Sequence, residues 1–420
     1  MDDIAATPVL RTRSNWYSAL PSGGKRTFWT SCAGYALDSY DVMSFSLAIP
    51  AIIATLAISP KEVGLIATVT LLFSAVGGWL GGLIADRFGR VRALQITVGC
   101  FALFAGLSGF AQNFDQLFVT RALMGLGFGG EWAVGAALVA EVITPAHRGK
   151  AVGFVQSSWA IGWAIAVIVS LVCFSLLPQD IAWRVLFFTG VLPALLALFA
   201  RRLVAEPALF QASRATHQRP RIGEIFAPAI LPRTLLCALL TTGAQGGYYA
   251  ISIWLPNFLK TERHLTVIGS FAYLAVIILG SFCGYLTASV LADRIGRRRN
   301  FILFAIGSIA AVMLYMLLPI GNDAMLFLGF PLGFFASGIF AGMGAFLSEM
   351  FPTHIRASSI GFTYNFGRGV AALNPTLIAI AAAYLSLGGA IALMAVVSYA
   401  LVIIAALILP ETRGRVLADD

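Results

Sequence analysis

Five charged residues lie inside apolar stretches of this 420-residue chain, where each would be costly to bury. Asp38 and Asp41 are three positions apart, a spacing that places both carboxylates on one face of a helix. Arg121 and Glu131 share a later stretch, and Arg368 interrupts another one. A charge at the centre of a bilayer costs about 2.5–3.5 kcal/mol on insertion scales, so each of these residues requires a specific role.

The carboxylates are suited to carrying protons. Neighbouring carboxylates repel one another in a low-dielectric site, and binding a proton relieves that repulsion. All four histidines of the chain fall in predicted loops, which leaves the acids as the candidates. We predict that Asp38, Asp41 and Glu131 load and release protons.

The arginines are suited to binding an anion, because a guanidinium offers a planar fork of donors that matches a carboxylate. We predict that Arg368 or Arg121 holds a substrate carboxylate. Gln245, Tyr248 and Asn365 are predicted to line the same polar cavity. A second interpretation stays open at this point: the acids and arginines pair with one another and hold helices together.

The stretches that position these residues have the length of membrane spans. Apolar residues make up 59% of the chain and charged residues 11%, against about 25% charged in soluble domains. The apolar runs are continuous rather than alternating, which favours helices of about 20 residues over a membrane-spanning sheet. Twelve segments are predicted, at 28–57, 63–84, 92–111, 116–142, 150–176, 182–203, 232–256, 267–291, 300–319, 324–350, 358–384 and 387–409.

The net charge of +9 reports topology rather than a nucleic-acid partner. Nearly all of the 28 Lys and Arg residues fall in loops on the side of the two termini. This bias predicts that both termini are cytoplasmic and that the protein crosses a bacterial-type inner membrane several times. The exceptions are Lys61, Arg184, Lys260 and Arg263 in the opposite loops, and Arg121 and Arg368 within segments.

A charged phrase occurs twice in the chain, at 82–90 and again at 289–297. A period this long in an apolar chain indicates two homologous membrane halves, an organisation typical of secondary transporters. We predict an N-terminal tail (1–27), a first six-helix bundle (28–203), a cytoplasmic loop (204–231), a second bundle (232–409) and a C-terminal tail (410–420).

At these motifs the chain resembles the major facilitator superfamily over nearly its whole length. The two phrases and the segment 410–414 are similar to the cytoplasmic signatures of that superfamily, although Ser289 stands where a glycine is usual. The resemblance implies an all-α membrane protein with twelve transmembrane helices in two pseudo-symmetric six-helix bundles. It also implies gating salt bridges that hold the halves together, formed by Asp86, Arg90, Glu141, Arg148, Asp293, Arg297, Glu349 and Arg356.

Two shorter motifs narrow the resemblance. The sequence from Leu37 to Asp41 is similar to the acidic first-helix motif of aromatic-acid and sialate proton symporters. The sequence from Gly129 to Trp132 is similar to a fourth-helix motif of sialate and other metabolite symporters. These likenesses imply uptake of an organic anion together with protons.

We therefore predict a secondary active transporter that takes up a carboxylate-bearing metabolite by proton symport and alternating access. Sialic, aromatic and sugar acids all stay open as substrates. The chain shows no nucleotide-binding loop and no nucleophile–base or metal constellation, so we predict no enzyme activity, cofactor, metal, nucleic acid or obligate protein partner. The alternatives are a proton-linked efflux antiporter and, more remotely, a membrane receptor that does not transport.

Overall fold

The computed structural model describes Tyr17 and residues 22–142, 148–191, 195, 222–266, 269–351 and 355–413. These residues are almost entirely helical. The helices of the first half are α1 (Ser22–Leu56), α2 (Pro60–Phe88), α3 (Arg90–Ser108), α4 (Phe114–Val142), α5 (Arg148–Leu176) and α6 (Gln179–Thr189).

The second half begins after a short 3₁₀ helix at Ile222–Phe226 and repeats the pattern with two interruptions. Its tenth and eleventh segments are each broken into two helices. The helices are α7 (Leu231–Thr261), α8 (Phe271–Ile295), α9 (Arg297–Leu317), α10 (Asn322–Gly338), α11 (Met343–Met350), α12 (Arg356–Ala371), α13 (Asn374–Ala381) and α14 (Leu387–Ile408).

Eight helical stretches among the described residues are long and apolar enough to cross a membrane. They are α1, α2, α3, α5, α8, α9, the α10–α11 pair and α14. The remaining predicted segments correspond to α4, α6, α7 and the α12–α13 pair. Of the predicted connections, residues 204–221 of the central loop and most of the N-terminal tail lie outside the described residues.

Within each half, glycines allow close backbone contact between two helices, and the pair of helices is equivalent in the two halves. A methyl group added at Gly129 of α4 would overlap the Ser74 carbonyl oxygen of α2. In the second half, a methyl group at Gly333 of α10 would overlap the Ile277 carbonyl oxygen of α8. Small residues at such crossings allow helices to approach closely in a bilayer, where apolar burial alone does not drive association.

The two halves touch each other on both sides of the membrane centre. Towards the predicted outer side, the Ser46 hydroxyl of α1 lies 2.8 Å from the carbonyl oxygens of both Ser252 and Ile253 in α7. Towards the inner side α5 lies against α8, where a methyl group added at Gly153 would come within 2.7 Å of the Ser289 Cβ atom. The region between these contacts is enclosed by helices of both halves.

The repeated charged phrase folds into the same turn in both copies. Gly89 joins α2 to α3 with φ 110° and ψ 154°, and Gly296 joins α8 to α9 with φ 100° and ψ 158°. This conformation is essentially restricted to glycine. At Gly296 a side chain would also meet the Glu411 carboxylate, because a Cβ atom would lie 2.5 Å from its Oε2 atom.

Replacing Gly296 by alanine should therefore destabilise the second half by about 1–3 kcal/mol, the usual cost of forcing a side chain into such a conformation. Thermal unfolding of the detergent-purified protein measures this as a lower midpoint. Gly361→Ala is the control, since nothing lies within 4 Å of its added methyl group. Equal midpoints for the two variants would show that the turn does not require glycine.

Candidate functional site

Arg368 of α12 is the centre of the buried polar groups between the halves. Its side chain is only 2% exposed. Its Nε atom donates a hydrogen bond to Gln245 Oε1 at 3.2 Å, and the Gln245 amide nitrogen donates to the Tyr364 carbonyl at 2.8 Å. The second bond fixes the amide of Gln245 so that its oxygen faces the guanidinium.

Two aromatic rings lie against this guanidinium. Its central carbon lies 4.8 Å from the ring centroid of Phe128 in α4 and 5.2 Å from that of Tyr364 in α12. Within the described part of the chain, the Nη1 atom is buried and has no hydrogen-bond partner. The Nη1 edge of the guanidinium is therefore a donor of the kind that binds a carboxylate.

Asp38 of α1 is the acidic neighbour of this arginine. Its side chain is 1% exposed and interacts electrostatically with Arg368 and with Tyr249. The first half thus supplies a negative charge to the cation of the second half. Asp38, Arg368 and Gln245, all named in the predicted site, thus belong to one group of interacting residues, and their roles stay predictions.

An aromatic wall continues from this centre across both halves. Tyr35 of α1 packs on Trp159 of α5, with 5.2 Å between ring centroids. The indole nitrogen of Trp159 donates to the hydroxyl of Tyr248 in α7 at 2.6 Å. Tyr248 in turn lies 5.6 Å from Phe340, which follows α10. Tyr248, predicted to line the cavity, belongs to this wall.

Four of the described interior amide side chains donate to backbone carbonyls. Asn365 donates to Gly361 at 2.8 Å and packs against Gly78 of α2, so it joins two helices close to Arg368. The other three such contacts are Gln156 to Phe340 at 3.4 Å, Gln245 to Tyr364 at 2.8 Å and Asn374 to Gly246 at 2.9 Å.

Asp41 and Arg121 form an ion pair within the first half. The Nη1 atom of Arg121 lies 3.1 Å from each carboxylate oxygen of Asp41, and both side chains are almost fully buried. The guanidinium carbon also lies 4.6 Å from the ring of Phe45 and 5.3 Å from that of Phe187. For these two residues the structure shows the pairing that the sequence left open, and the charge of Arg121 is compensated without a substrate.

Glu131 is buried on α4 at 4% exposure. It follows Phe128 by three positions and therefore lies on a similar side of the helix. The same helix thus carries the partner of Asp41, the ring that covers Arg368 and the third predicted proton carrier.

Those predicted gating charges whose side chains the structure describes form a network inside the second half. Arg297 lies 2.5 Å from Asp293 Oδ1 and 3.2 Å from Glu349 Oε1, and the hydroxyl of Thr412 donates to Glu349 Oε2 at 2.6 Å. Glu411 accepts hydrogen bonds from the backbone of Arg297 at 2.9 Å. These contacts join α8, α9, α11 and the segment after α14 rather than one half to the other.

The remaining predicted gating residues cannot be placed in this network. The side chains of Asp86, Arg90, Glu141, Arg148 and Arg356 lie outside the described residues. A salt bridge between the halves at these positions stays a prediction.

Sequence reasoning missed two aromatic members of the site, Tyr35 and Phe128. A signal for each was present in the helical spacing. Tyr35 precedes Asp38 by one turn, and Phe128 precedes Glu131 by one turn. Neither residue is charged, so the cost of burial did not single it out.

Comparison with known proteins identifies the family. The Major Facilitator Superfamily profile matches residues 31–324 and 275–419. The "Probable 4-methylmuconolactone transporter" of Cupriavidus pinatubonensis is 42% identical over 95% of this chain and 93% of its own length. The "Cis,cis-muconate transport protein" of Acinetobacter baylyi is 32% identical over 85% of this chain and 86% of its own. A sialic acid transporter of Escherichia coli is 26% identical over 93% and 95%.

Solved structures show the same fold. The proton:xylose symporter XylE superimposes with a TM-score of 0.77 at 18% identity, over 94% of this chain and 98% of the other. A partially occluded, inward-open form of XylE from E. coli superimposes with a TM-score of 0.71 at 19% identity, over 94% and 100%.

The predicted fold of twelve helices in two six-helix bundles is confirmed, as is the prediction of a transporter rather than an enzyme. The chain belongs to the Major Facilitator Superfamily and is a multi-pass membrane protein of that transporter fold.

Proposed function

We propose that this protein takes up an organic carboxylate across the cytoplasmic membrane together with protons. The observation that carries this proposal is the Nη1 edge of Arg368. This cation is buried, and its Nη1 atom has no hydrogen-bond partner among the described residues. Leaving a donor of a buried charged group unpaired is costly, so the edge favours an anion that arrives and leaves. Its position between the halves is where superfamily folds of this kind bind substrates.

The walls of the site favour an unsaturated or aromatic acid over a sugar acid. Aromatic side chains offer a large apolar contact area, which suits a planar unsaturated acid better than a polyhydroxylated one. The rings of Phe128 and Tyr364 lie 4.8 and 5.2 Å from the guanidinium carbon of Arg368, and the packed pair of Tyr35 and Trp159 continues the aromatic wall. Two relatives named for muconolactone and muconate support the same substrate class.

Competition for Arg368 links substrate binding to proton binding. An ionised Asp38 and a substrate carboxylate would place two anions beside one cation, and protonation of Asp38 relieves their repulsion. The substrate anion therefore favours proton binding at Asp38, and by linkage a proton there favours the substrate. Return of Asp38 to its ionised form on the inner side, where protons are scarcer, helps to expel the substrate.

The Asp41–Arg121 pair and Glu131 form a second group of ionisable residues in the first half. Protonation of Asp41 would remove the charge that holds Arg121 at 3.1 Å and free that arginine to move. We assign Asp41 and Glu131 to the proton pathway. Arg121 acts there as the partner of Asp41, which leaves Arg368 as the arginine that contacts substrate.

The charge bias of the loops supports an orientation with both termini in the cytoplasm. In this orientation the network of Arg297, Glu349 and Thr412 lies at the cytoplasmic end. It braces the second half there, so that this half can move as a unit during alternating access.

External pH in lightly buffered, de-energised cells tests the proposed function directly. Adding the substrate acid anaerobically should make the medium more alkaline, because protons enter with the anion. Muconate and benzoate are compared with sialic acid and a sugar acid, and cells without the protein are the control. Acidification on substrate addition would overturn symport in favour of antiport.

Replacing Arg368 by glutamine should weaken substrate binding about 100-fold, which corresponds to about 2.7 kcal/mol. This loss is within the range for removing one partner of a buried charge pair. Arg368→Lys should recover only part of it, since an ammonium lacks the planar fork. Competition with a labelled acid measures the affinity, and Arg233→Gln, an exposed arginine, is the control. Unchanged affinity in Arg368→Gln would place the substrate elsewhere.

Replacing Asp38 by asparagine should separate transport from its driving force. The amide resembles the protonated acid, so exchange of labelled for unlabelled substrate across liposomes should persist. Accumulation driven by a pH gradient should be lost. Retention of full gradient-driven accumulation would remove Asp38 from the coupling mechanism.

A further inference from the structure

We infer that Phe128 is a positioning residue for transport: it is an aromatic lid that the first half places on the substrate-binding arginine of the second half. The inference rests on the proposed function of Arg368 as the anion site. It concerns a residue that carries no charge and makes no hydrogen bond through its side chain.

The guanidinium of Arg368 contacts one amide and two aromatic rings. Gln245 holds the Nε edge at 3.2 Å, and the rings of Phe128 and Tyr364 lie at 4.8 and 5.2 Å from the central carbon. A cation within about 6 Å of a ring centroid is attracted by the π electrons, and more strongly where water is absent. The rings thus stabilise the cation while its Nη1 edge keeps its hydrogen-bonding capacity.

The residues that contact this guanidinium come from both halves of the protein. Gln245 and Tyr364 belong to the same half as Arg368, so they can stay beside it while the halves move. Phe128 belongs to α4 of the other half and is only 1% exposed in this enclosed state. When the halves separate, the ring of Phe128 leaves and water replaces it. The anion site is therefore complete only when the two halves are together.

Helix α4 also carries Arg121, the partner of Asp41. Arg121 precedes Phe128 by seven positions, or about two turns, and is held by Asp41 of α1. A movement of α4 on protonation of Asp41 would displace the lid as well. Phe128 consequently connects the state of the proton pair to the strength of the anion site, and it favours closure around a bound substrate.

The consequence for kinetics is specific. A residue that interacts with the cation only in the closed state should contribute to the rate of the conformational change more than to initial binding. Phe128→Leu should lower the maximal rate of substrate exchange about tenfold, which corresponds to about 1.4 kcal/mol, and leave the half-saturating concentration within about twofold. Phe128→Tyr, which keeps the ring, should restore most of the rate.

The decisive experiment replaces Phe128 by phenylalanines with one, two and three ring fluorines, in protein reconstituted into liposomes. Fluorine withdraws π electrons while the ring keeps nearly the same size, so the logarithm of the exchange rate should fall stepwise with fluorine number. The same series at Phe118 is the control, because its ring packs on Phe114 at 5.4 Å on the same helix.

Rates that stay constant along the Phe128 series, in protein that exchanges substrate, would overturn the role of Phe128 and leave the proposed function intact. Absence of exchange by the unmodified protein for every acid tested would overturn the proposed function itself. A thermal unfolding midpoint measured for each protein separates a loss of rate from a loss of folded material.

Discussion

The positive charge of Arg368 is buried deep inside a membrane protein, and the groups packed around it compensate for the loss of its water. A guanidinium loses its water when it is buried, so other groups must compensate it. Gln245 supplies one hydrogen bond, Tyr364 and Phe128 supply π electrons, and Asp38 supplies a negative charge. These groups come from α1, α4, α7 and α12. Compensation of one cation therefore draws four helices from both halves towards one point.

The two buried arginines, Arg121 and Arg368, have different sets of partners. Arg121 faces a carboxylate at 3.1 Å in its own half and already has a partner of opposite charge. Arg368 is compensated by a neutral amide, by rings and by a carboxylate from the other half. An anion that approaches Arg121 must displace an ion pair, whereas one that approaches Arg368 finds an unpartnered donor. Burial is the same for both arginines, so the proposed difference in their roles depends on their partners.

The sequence was sufficient to predict the membrane segments, the repeat and the charges near the centre. Long apolar runs and buried charges have large energetic costs, so they can be recognised without knowledge of tertiary contacts. The breaks between α10 and α11 and between α12 and α13 were not predicted, because the mean hydropathy of a whole segment does not show where a helix within it is interrupted. The lid formed by Phe128 was not predicted either. One buried phenylalanine resembles any other in a chain with 31 of them.

The predicted gating charges show a different limit of sequence reasoning. The resemblance predicted which charges belong together, but it did not establish which helices they connect. Arg297, Asp293 and Glu349 all lie within one half, where they brace α8, α9 and α11. Charges at neighbouring helix ends satisfy one another locally when the chain brings them close, and the sequence spacing alone cannot separate this arrangement from one across the halves.

The pseudo-symmetry of the halves explains how an asymmetric site arises from a repeated sequence. Asp86 and Asp293 are 207 positions apart, and the same offset takes Asp38 to Gln245. Both of these residues interact with Arg368, one from each half. The repeat thus brings equivalent positions of α1 and α7 to the same place near the axis between the bundles. The turns at Gly89 and Gly296 are alike in the two halves. Both have a positive φ, 110° and 100°, that favours glycine. At the centre, an amide in one half and an acid in the other supply a fixed partner and an ionisable one for the same cation, and the proposed coupling of an anion to a proton depends on this asymmetry.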